Sequence, residues 1–215
     1  MRDGSDALIV IDPQVDFCPG GALAVTGGDA IMPGINMLAA EFGIIVLTQD
    51  WHPADHTSFA ANHPGAEPFG TVELAYGRQT LWPAHCVIGS PGAAFHPDLR
   101  SDVADAVIRK GFRAEVDSYS AFFENDRVTP TGLDGYLRSR GITTLTFVGL
   151  ATDFCVAWSA LDAVRLGFAA TVVLPLCRAI DLAGSLADAL SAMGAAGVEL
   201  VGDGPAGELA GELAG

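Results

Sequence analysis

The chain has 215 residues, of which 50% are hydrophobic and 17% are charged. This length and composition are typical of one folded globular domain with a substantial core, and they exclude a disordered chain. The formal net charge of −15 argues against nucleic acid and anionic membranes as partners, because their phosphate groups would be repelled.

Short apolar runs rich in β-branched residues alternate with helical patterns along the chain. The apolar runs predict six strands, at residues 7–12, 44–49, 105–110, 144–150, 170–175 and 198–201. The patterns between them predict helices at residues 31–43, 131–141, 152–167 and 185–197. The fold class is therefore predicted to be α/β, a three-layer α/β/α domain with a mainly parallel six-stranded sheet and helices on both faces.

No break in composition marks a second domain, so residues 1–202 are predicted to form one domain. Residues 203–215 repeat the letters GELA, which predicts a flexible C-terminal tail. No apolar run reaches the roughly 18 residues of a membrane span, and the N-terminus is acidic where a secretory signal would be basic. The four cysteines have no close pairing pattern and are expected to be reduced. We therefore expect a cytoplasmic protein.

Polar side chains follow four of the predicted strands at the point where each strand ends. Asp12 ends the first strand, Asp50 follows the second, Lys110 ends the third, and Cys155 lies just past the fourth. The carboxyl ends of parallel strands meet at one edge of a sheet, where ligands bind. Cys155 also lies in the first turn of its helix, where exposed N–H groups and the helix dipole favour a thiolate and could form an oxyanion hole.

Each of these residues also has an ordinary structural interpretation. Taken alone, Cys155 could be a core cysteine of its helix, Asp12 a turn aspartate and Lys110 a surface lysine. Their shared position at one sheet edge favours the functional interpretation. Lys110 is then expected to pair with Asp12 and to hold the charges around the thiol in place.

The stretch "TQDWHPADHTSF" carries Asp50, His52 and His56 in one loop. Carboxylate and imidazole groups together suit hard and borderline divalent metals, so this pattern predicts a metal site with open positions. His85 could complete the ligand set, and His63 and His96 compete with it. The alternative is a turn with solvated histidines.

Five motifs resemble the nicotinamidase branch of the isochorismatase-like cysteine hydrolases: "IDPQVDFCPGGALAV", "TQDWHPADHTSF", "LWPAHCV.GSPGAAFHPDL", "RKG....VDSYSAF" and "VGLATDFCV". The resemblance runs in order from about residue 7 to residue 201, so it implies an isochorismatase-like domain over residues 1–202. It implies that Asp12, Lys110 and Cys155 form a catalytic triad. It implies metal ligands at Asp50, His52, His56 and His85, for one divalent ion, with zinc favoured over manganese and iron.

The resemblance also implies the surroundings of the substrate. A cis peptide is expected between Leu150 and Ala151, with the N–H groups of Ala151 and Cys155 in the oxyanion hole. The residues expected to bind the substrate are Phe17, Leu23, Trp82, Tyr119 and Leu150, with Val25 beside Leu23 at the entrance. Phe154 departs from the family, because some relatives carry histidine there, and we expect this to affect only the edge of the pocket.

The implied activity is a metal-dependent cysteine amidohydrolase that converts nicotinamide to nicotinate and ammonia through a thioester, and that also accepts pyrazinamide. The expected partner is the small-molecule substrate, and neither nucleic acid nor a membrane is expected. The protein is expected to be a monomer or a homodimer. The alternatives are another hydrolase of the superfamily (an isochorismatase or a carbamoyl or ureido amidase) and a non-catalytic small-molecule-binding protein. The Asp/His/His/His set argues against the first, and the intact triad argues against the second.

Overall fold

The computed structural model describes residues 4–202 and contains eight strands and four α-helices within that range. The strands are β1 (Asp6–Ile11), β2 (Ile45–Asp50), β3 (Thr71–Leu74), β4 (Gly77–Thr80), β5 (Ala106–Lys110), β6 (Thr144–Leu150), β7 (Ala169–Arg178) and β8 (Glu199–Val201). The helices are α1 (Met32–Ala39), α2 (Leu133–Ser139), α3 (Ala157–Arg165) and α4 (Ser185–Ala195). The predicted tail at residues 203–215 lies outside the described residues. No helix that the structure describes is long and apolar enough to span a membrane.

Six strands form one sheet in the order β5-β2-β1-β6-β7-β8, and every neighbouring pair is parallel. The central strands β1, β2 and β6 are buried almost throughout, as expected for strands covered on both faces. The predicted six-stranded α/β sheet is therefore confirmed.

Two apolar cores lie on opposite faces of the sheet. On one face, Ile9 and Ile11 of β1 belong to a cluster with apolar side chains of α2, α3 and α4. On the other face, Leu8 and Val10 belong to a cluster with those of α1. Successive side chains of a strand point to opposite faces, so one strand joins the two cores and the protein has the predicted three layers.

Three elements differ from the prediction. The first helix ends at Ala39 instead of residue 43, because residues 40–42 close it with tight i→i−3 hydrogen bonds. The helix predicted at 152–167 begins as a π-helical turn, Thr152–Val156, and continues as α3. The hairpin of β3 and β4 was missed, because its strands are short and partly exposed and its connection lacks an Asn-Gly type signal.

The sheet order places the functional candidates together. Because β5, β2, β1 and β6 are consecutive neighbours, Lys110, Asp50, Asp12 and the turn that holds Cys155 share one sheet edge. Asp50 and Lys110 are also partners in the register of β2 and β5. The parallel topology thus brings together residues that are far apart in the sequence.

Gly149 allows β6 to lie against the end of β1 immediately before this edge. Its φ is +117°, a conformation that side-chain-bearing residues rarely adopt, and a Cβ atom there would overlap the carbonyl oxygen of Ile11. No larger residue fits without moving the strand ends that carry the site.

We expect Gly149→Ala to lower the free energy of unfolding by about 1–3 kcal/mol or more, because it adds backbone strain and a steric overlap. Gly135→Ala is the matched control: Gly135 is an exposed residue of α2 with no atom within 4 Å of the added Cβ, so it should be neutral or stabilise by up to about 1 kcal/mol. Urea unfolding of both variants measures the difference. Equal stability of the two variants would contradict this account.

Candidate active site and metal centre

Lys110 is the last residue of β5, and its completely buried side chain contacts the two acids of the site. Its Nζ lies 2.8 Å from Asp12 Oδ2, forms a short ion pair with Asp50 Oδ1, and donates to the carbonyl oxygen of Ser118 at 2.8 Å. Burial alone would lower the pKa of Lys110, but the two carboxylates raise it well above its ordinary value. The side chain is therefore a fixed ammonium group that holds two acids at defined positions.

Asp12 is held from several sides. Its backbone has a positive φ of 45°, its N–H donates to Thr48 Oγ1 at 3.0 Å, and the Thr48 hydroxyl donates to its Oδ1 at 2.6 Å. Burial raises the pKa of Asp12 to about 6, against the opposing effect of Lys110. A carboxyl group that titrates near neutral pH is suited to accept and return a proton.

Cys155 lies within reach of both groups. Its Sγ is 3.4 Å from Lys110 Nζ, and it belongs to a group with Asp12 and Asp50 in which the ligand atoms lie within 4.8 Å of one another. Burial raises the pKa of the Cys155 thiol well above its ordinary value, although Lys110 opposes this effect. The thiol is therefore protonated at rest and needs a neighbouring base to become a nucleophile.

The turn that carries Cys155 follows a cis peptide between Leu150 and Ala151, at the position that the family resemblance implies. The carbonyl oxygen of Ala151 accepts from the N–H groups of Phe154 and Val156, each at 3.1 Å, which closes the π-helical turn Thr152–Val156. π-helical turns are frequent at functional sites. Ala151 and Cys155 both line the inner cavity described below, and their role as an oxyanion hole stays a prediction.

A second set of donors lies on the other side of Asp50. Its Oδ2 is 3.5 Å from His52 Nε2 and 3.9 Å from His85 Nε2. Nδ1 of each imidazole lies 2.8 Å from a backbone carbonyl oxygen, that of Gly111 for His52 and that of Pro83 for His85. Nε2 of each ring is therefore the nitrogen available to accept a hydrogen bond or to coordinate a metal. Burial and His52 lower the pKa of His85 to about 4, which keeps it neutral. Buried carboxylate and imidazole donors directed at one point fit a divalent metal such as zinc.

The four predicted ligands are divided between two overlapping groups. Asp50, His52 and His85 form one group, and His56 belongs to another, with His52 and Asp117. Both ring nitrogens of His56 have partners: Nδ1 lies 2.7 Å from Ser58 Oγ and Nε2 lies 3.2 Å from the carbonyl oxygen of Val116. The geometry therefore favours a three-residue metal centre, and a ligand role for His56 stays a prediction.

His63 and His96, the competitors of His85, are in neither group among the described residues. His63 Nε2 lies 2.7 Å from the carbonyl oxygen of Thr57, and His96 Nδ1 lies 3.9 Å from Asp98 Oδ2. The structure thus brings His85 to Asp50, which spacing along the sequence could not decide.

An inner cavity of about 330 Å³ connects the thiol with the metal donors. Aromatic side chains make up much of its lining, which suits a small planar ring. Four predicted substrate residues line it: Phe17, Leu23, Trp82 and Tyr119. Leu150, the fifth, is 0% exposed and packs in the core cluster behind the cavity. Its neighbour Ala151 is the residue that faces the space.

Three further residues line it: Asp117, Phe154 and Ile180, of which Phe154 was expected at the edge of the pocket and the other two were not selected from the sequence. Asp117 stands in the quoted motif "VDSYSAF" and Phe154 directly precedes the nucleophile candidate, so both carried a signal. Ile180 carried none, because it lies in an irregular segment after β7. The carboxylate of Asp153 holds that segment, since it accepts from the N–H groups of Ile180 and Asp181 at 3.0 and 2.8 Å.

Known proteins resemble this chain over nearly its whole length. The sequence profile of the isochorismatase domain matches residues 6–202. A nicotinamidase from Acinetobacter baylyi is 55% identical over 195 residues, which cover 91% of each chain. The structure of an Acinetobacter baumanii nicotinamidase and pyrazinamidase has a TM-score of 0.93 and 56% identity, covering 94% of this chain and 97% of its own. The structure of a pyrazinamidase from Pyrococcus horikoshii in complex with zinc has a TM-score of 0.75 and 35% identity, covering 92% and 98%.

We expect His85→Ala to lose most of its bound zinc, because it removes one of three donors that converge on one point. His56→Ala is the matched control and should retain zinc close to the wild-type level, because the His56 nitrogens already have protein partners. Metal analysis of the purified variants gives the stoichiometry. Equal loss of zinc from both variants would show a four-residue site and contradict the three-residue assignment.

Proposed function

The chain belongs to the isochorismatase family, and we propose that it is a nicotinamidase, which hydrolyses nicotinamide to nicotinate and ammonia. The observation that carries this proposal is the inner cavity, where a buried thiol with an acid and an ammonium group faces a buried carboxylate–imidazole group across the space of one small ring. The resemblance to the Acinetobacter enzymes supports the same substrate.

Asp50, His52 and His85 would hold the divalent metal. When bound, the ion supplies an open coordination position that can take the ring nitrogen and so orient the carboxamide. The chain itself supplies the walls: Phe17, Trp82 and Tyr119 present flat surfaces to an aromatic ring. The Tyr119 hydroxyl accepts from Trp82 Nε1–H at 3.1 Å, which fixes the two walls relative to one another. Such positioning contributes several kcal/mol to a rate acceleration.

The chemical steps fall to Asp12 and Cys155. Asp12 takes the thiol proton as Cys155 Sγ bonds to the carboxamide carbon, and the carbonyl oxygen becomes an oxyanion near the N–H groups of Ala151 and Cys155. The carbon–nitrogen bond then breaks, and Asp12 returns the proton to the leaving group as ammonia. A thioester remains on Cys155. Water attacks it and gives one proton to Asp12, the carbon–sulfur bond breaks as Asp12 passes that proton to the Cys155 sulfur, and the carboxylic acid loses its own proton to solvent and leaves as nicotinate.

Lys110 balances charge during these steps. Its ammonium group stays protonated because its pKa is raised well above the ordinary value by the two aspartates, after the opposing effect of burial. It therefore stabilises the carboxylate form of Asp12 at rest and lowers the cost of a thiolate at Cys155. It acts as a fixed positive charge and does not donate a proton.

Pyrazinamide is a second candidate substrate. It keeps the planar ring, the ring nitrogen and the carboxamide, so the same aromatic walls and metal donors can hold it. Isochorismate and carbamoyl or ureido compounds lack an aromatic ring with a ring nitrogen. They would therefore not engage the aromatic walls together with a metal held at Asp50. The monomeric or homodimeric state and the cytoplasmic location stay predictions from the sequence.

We expect Cys155→Ala to reduce ammonia release from nicotinamide by at least about a thousandfold, because it removes the nucleophile. Zinc content should stay at the wild-type level, since the thiol is not in the group of Asp50, His52 and His85. Cys177→Ala is the control, as Cys177 is a buried cysteine that does not line the inner cavity. Substantial activity in Cys155→Ala would contradict the thioester route, and no ammonia from the wild-type protein would favour a binding protein.

A further inference from the structure

A second, larger cavity opens beside the inner one, and we call it the outer cavity. It has a volume of about 940 Å³ and is lined by residues of the hairpin β3–β4, of the segment around Asn125 and Arg127, and of the start of α3. Tyr119 and Phe154 line both cavities, so these two rings form the wall between them.

The charge of the outer cavity is opposite to that of the protein. The formal net charge of the chain is −15, yet the lining of the outer cavity contains two arginines, Arg78 and Arg127, and no carboxylate among the described residues. A cavity with this lining attracts anions locally, although the molecule as a whole repels them.

Both guanidinium groups have donors to spare. Within residues 4–202, the Arg78 side chain makes one long hydrogen bond, from Nη2 to Thr71 Oγ1 at 3.4 Å. Arg127 Nη1 is 3.4 Å from Asp162 Oδ1, and Asp162 is shared with Arg165 at 3.3 Å. An arginine has five N–H donors arranged in a fork that matches a carboxylate. Most of these donors are left for a ligand.

Aromatic surfaces complete the lining. The Arg127 guanidinium lies 3.7 Å from the centroid of the Trp158 ring, and Trp158 packs edge-to-face on Tyr119 with centroids 5.0 Å apart. Tyr76 of the hairpin connection also lines the cavity, and its hydroxyl donates to Gln79 Oε1 at 3.1 Å. Flat rings next to forked cations are the combination that recognises a planar anion.

We propose that the outer cavity is a binding site for small aromatic carboxylates, with Arg78 and Arg127 as the anion-binding residues. That the bound carboxylate is the reaction product rests on the proposed function. Hydrolysis of an aromatic carboxamide turns a neutral molecule into an anion. The arginines therefore attract the product electrostatically, and they have no such attraction for the neutral substrate. The outer cavity therefore draws product away from the inner cavity and makes the protein sensitive to aromatic carboxylates in its surroundings.

The test uses benzoate and benzamide, two planar molecules that differ in charge and lack a ring nitrogen. The readout is the indole N–H resonance of Trp158 in the ¹⁵N-labelled, zinc-loaded protein, assigned with Trp158→Phe. Trp158 lines the outer cavity and not the inner one, and the arginine variants described below assign its shift to this site. We expect benzoate to shift it in a saturable manner and benzamide not to.

Arg78→Gln should weaken benzoate binding by about three- to tenfold, because it removes one exposed charge-assisted contact. Arg127→Lys should weaken it less, since it keeps the charge. Arg100→Gln is the matched control, as Arg100 is an exposed arginine that lines neither cavity, and it should leave benzoate binding within about twofold of wild type.

The proposal is overturned if Trp158 does not respond to benzoate, or if Arg78→Gln binds benzoate as tightly as Arg100→Gln does. These outcomes are independent of turnover, because benzoate contains no amide. If benzoate binds in the expected arginine-dependent manner to a protein that releases no ammonia from nicotinamide, the anion site stands and the proposed function falls.

Discussion

The buried ammonium group of Lys110 is the constraint on which the site depends. Two carboxylates, Asp12 and Asp50, approach it at the end of the sheet, where all three side chains are buried. Without the ammonium group, two buried negative charges would face one another, and the loss of one partner of such a pair costs about 3–5 kcal/mol. Lys110 contacts both Asp12, which lies beside the thiol, and Asp50, which is one of the metal donors. It therefore fixes the position of the thiol and its base relative to the metal donors.

The fold delivers this arrangement through parallel strands. Asp50 and Lys110 are neighbours because β2 and β5 are in register, and Asp12 follows β1 in the adjacent position. The hydroxyl of Thr48 in β2 supports Asp12, so a core strand positions the acid directly. Gly149 lets β6 approach β1 closely enough to bring the turn with Cys155 to the same edge. The chemistry is thus set by the ends of neighbouring strands of the central sheet.

The sequence predicted the elements that have a strong periodicity and a fixed position in the sheet. Asp12 and Cys155 follow buried strands and Lys110 ends the outer strand β5, so a parallel topology was enough to bring them together. The hairpin was not predictable, because its strands have only four residues each and lie in a separate sheet. Ile180 was not predictable either, because hydrogen bonds to the carboxylate of Asp153 hold it in place, and no local pattern encodes such bonds.

The sequence also could not decide which histidines bind the metal. Spacing within one loop indicated a metal site, but it could not choose a ligand from a distant segment or exclude one nearby. The carbonyl oxygens of Gly111 and Pro83 orient His52 and His85 with Nε2 toward Asp50, whereas His56 contacts Ser58 and Val116. Ring orientation depends on the tertiary partners of the other nitrogen. The structure is needed to see those partners.

Mass spectrometry of the protein quenched with acid during turnover of nicotinamide tests the central claim most directly. The account predicts a nicotinoyl group in thioester linkage on the peptide that contains Cys155, which hydroxylamine removes as nicotinohydroxamate. A nicotinoyl group on any other residue would contradict the account. So would an unmodified Cys155 throughout turnover, with no hydroxamate formed when hydroxylamine is present.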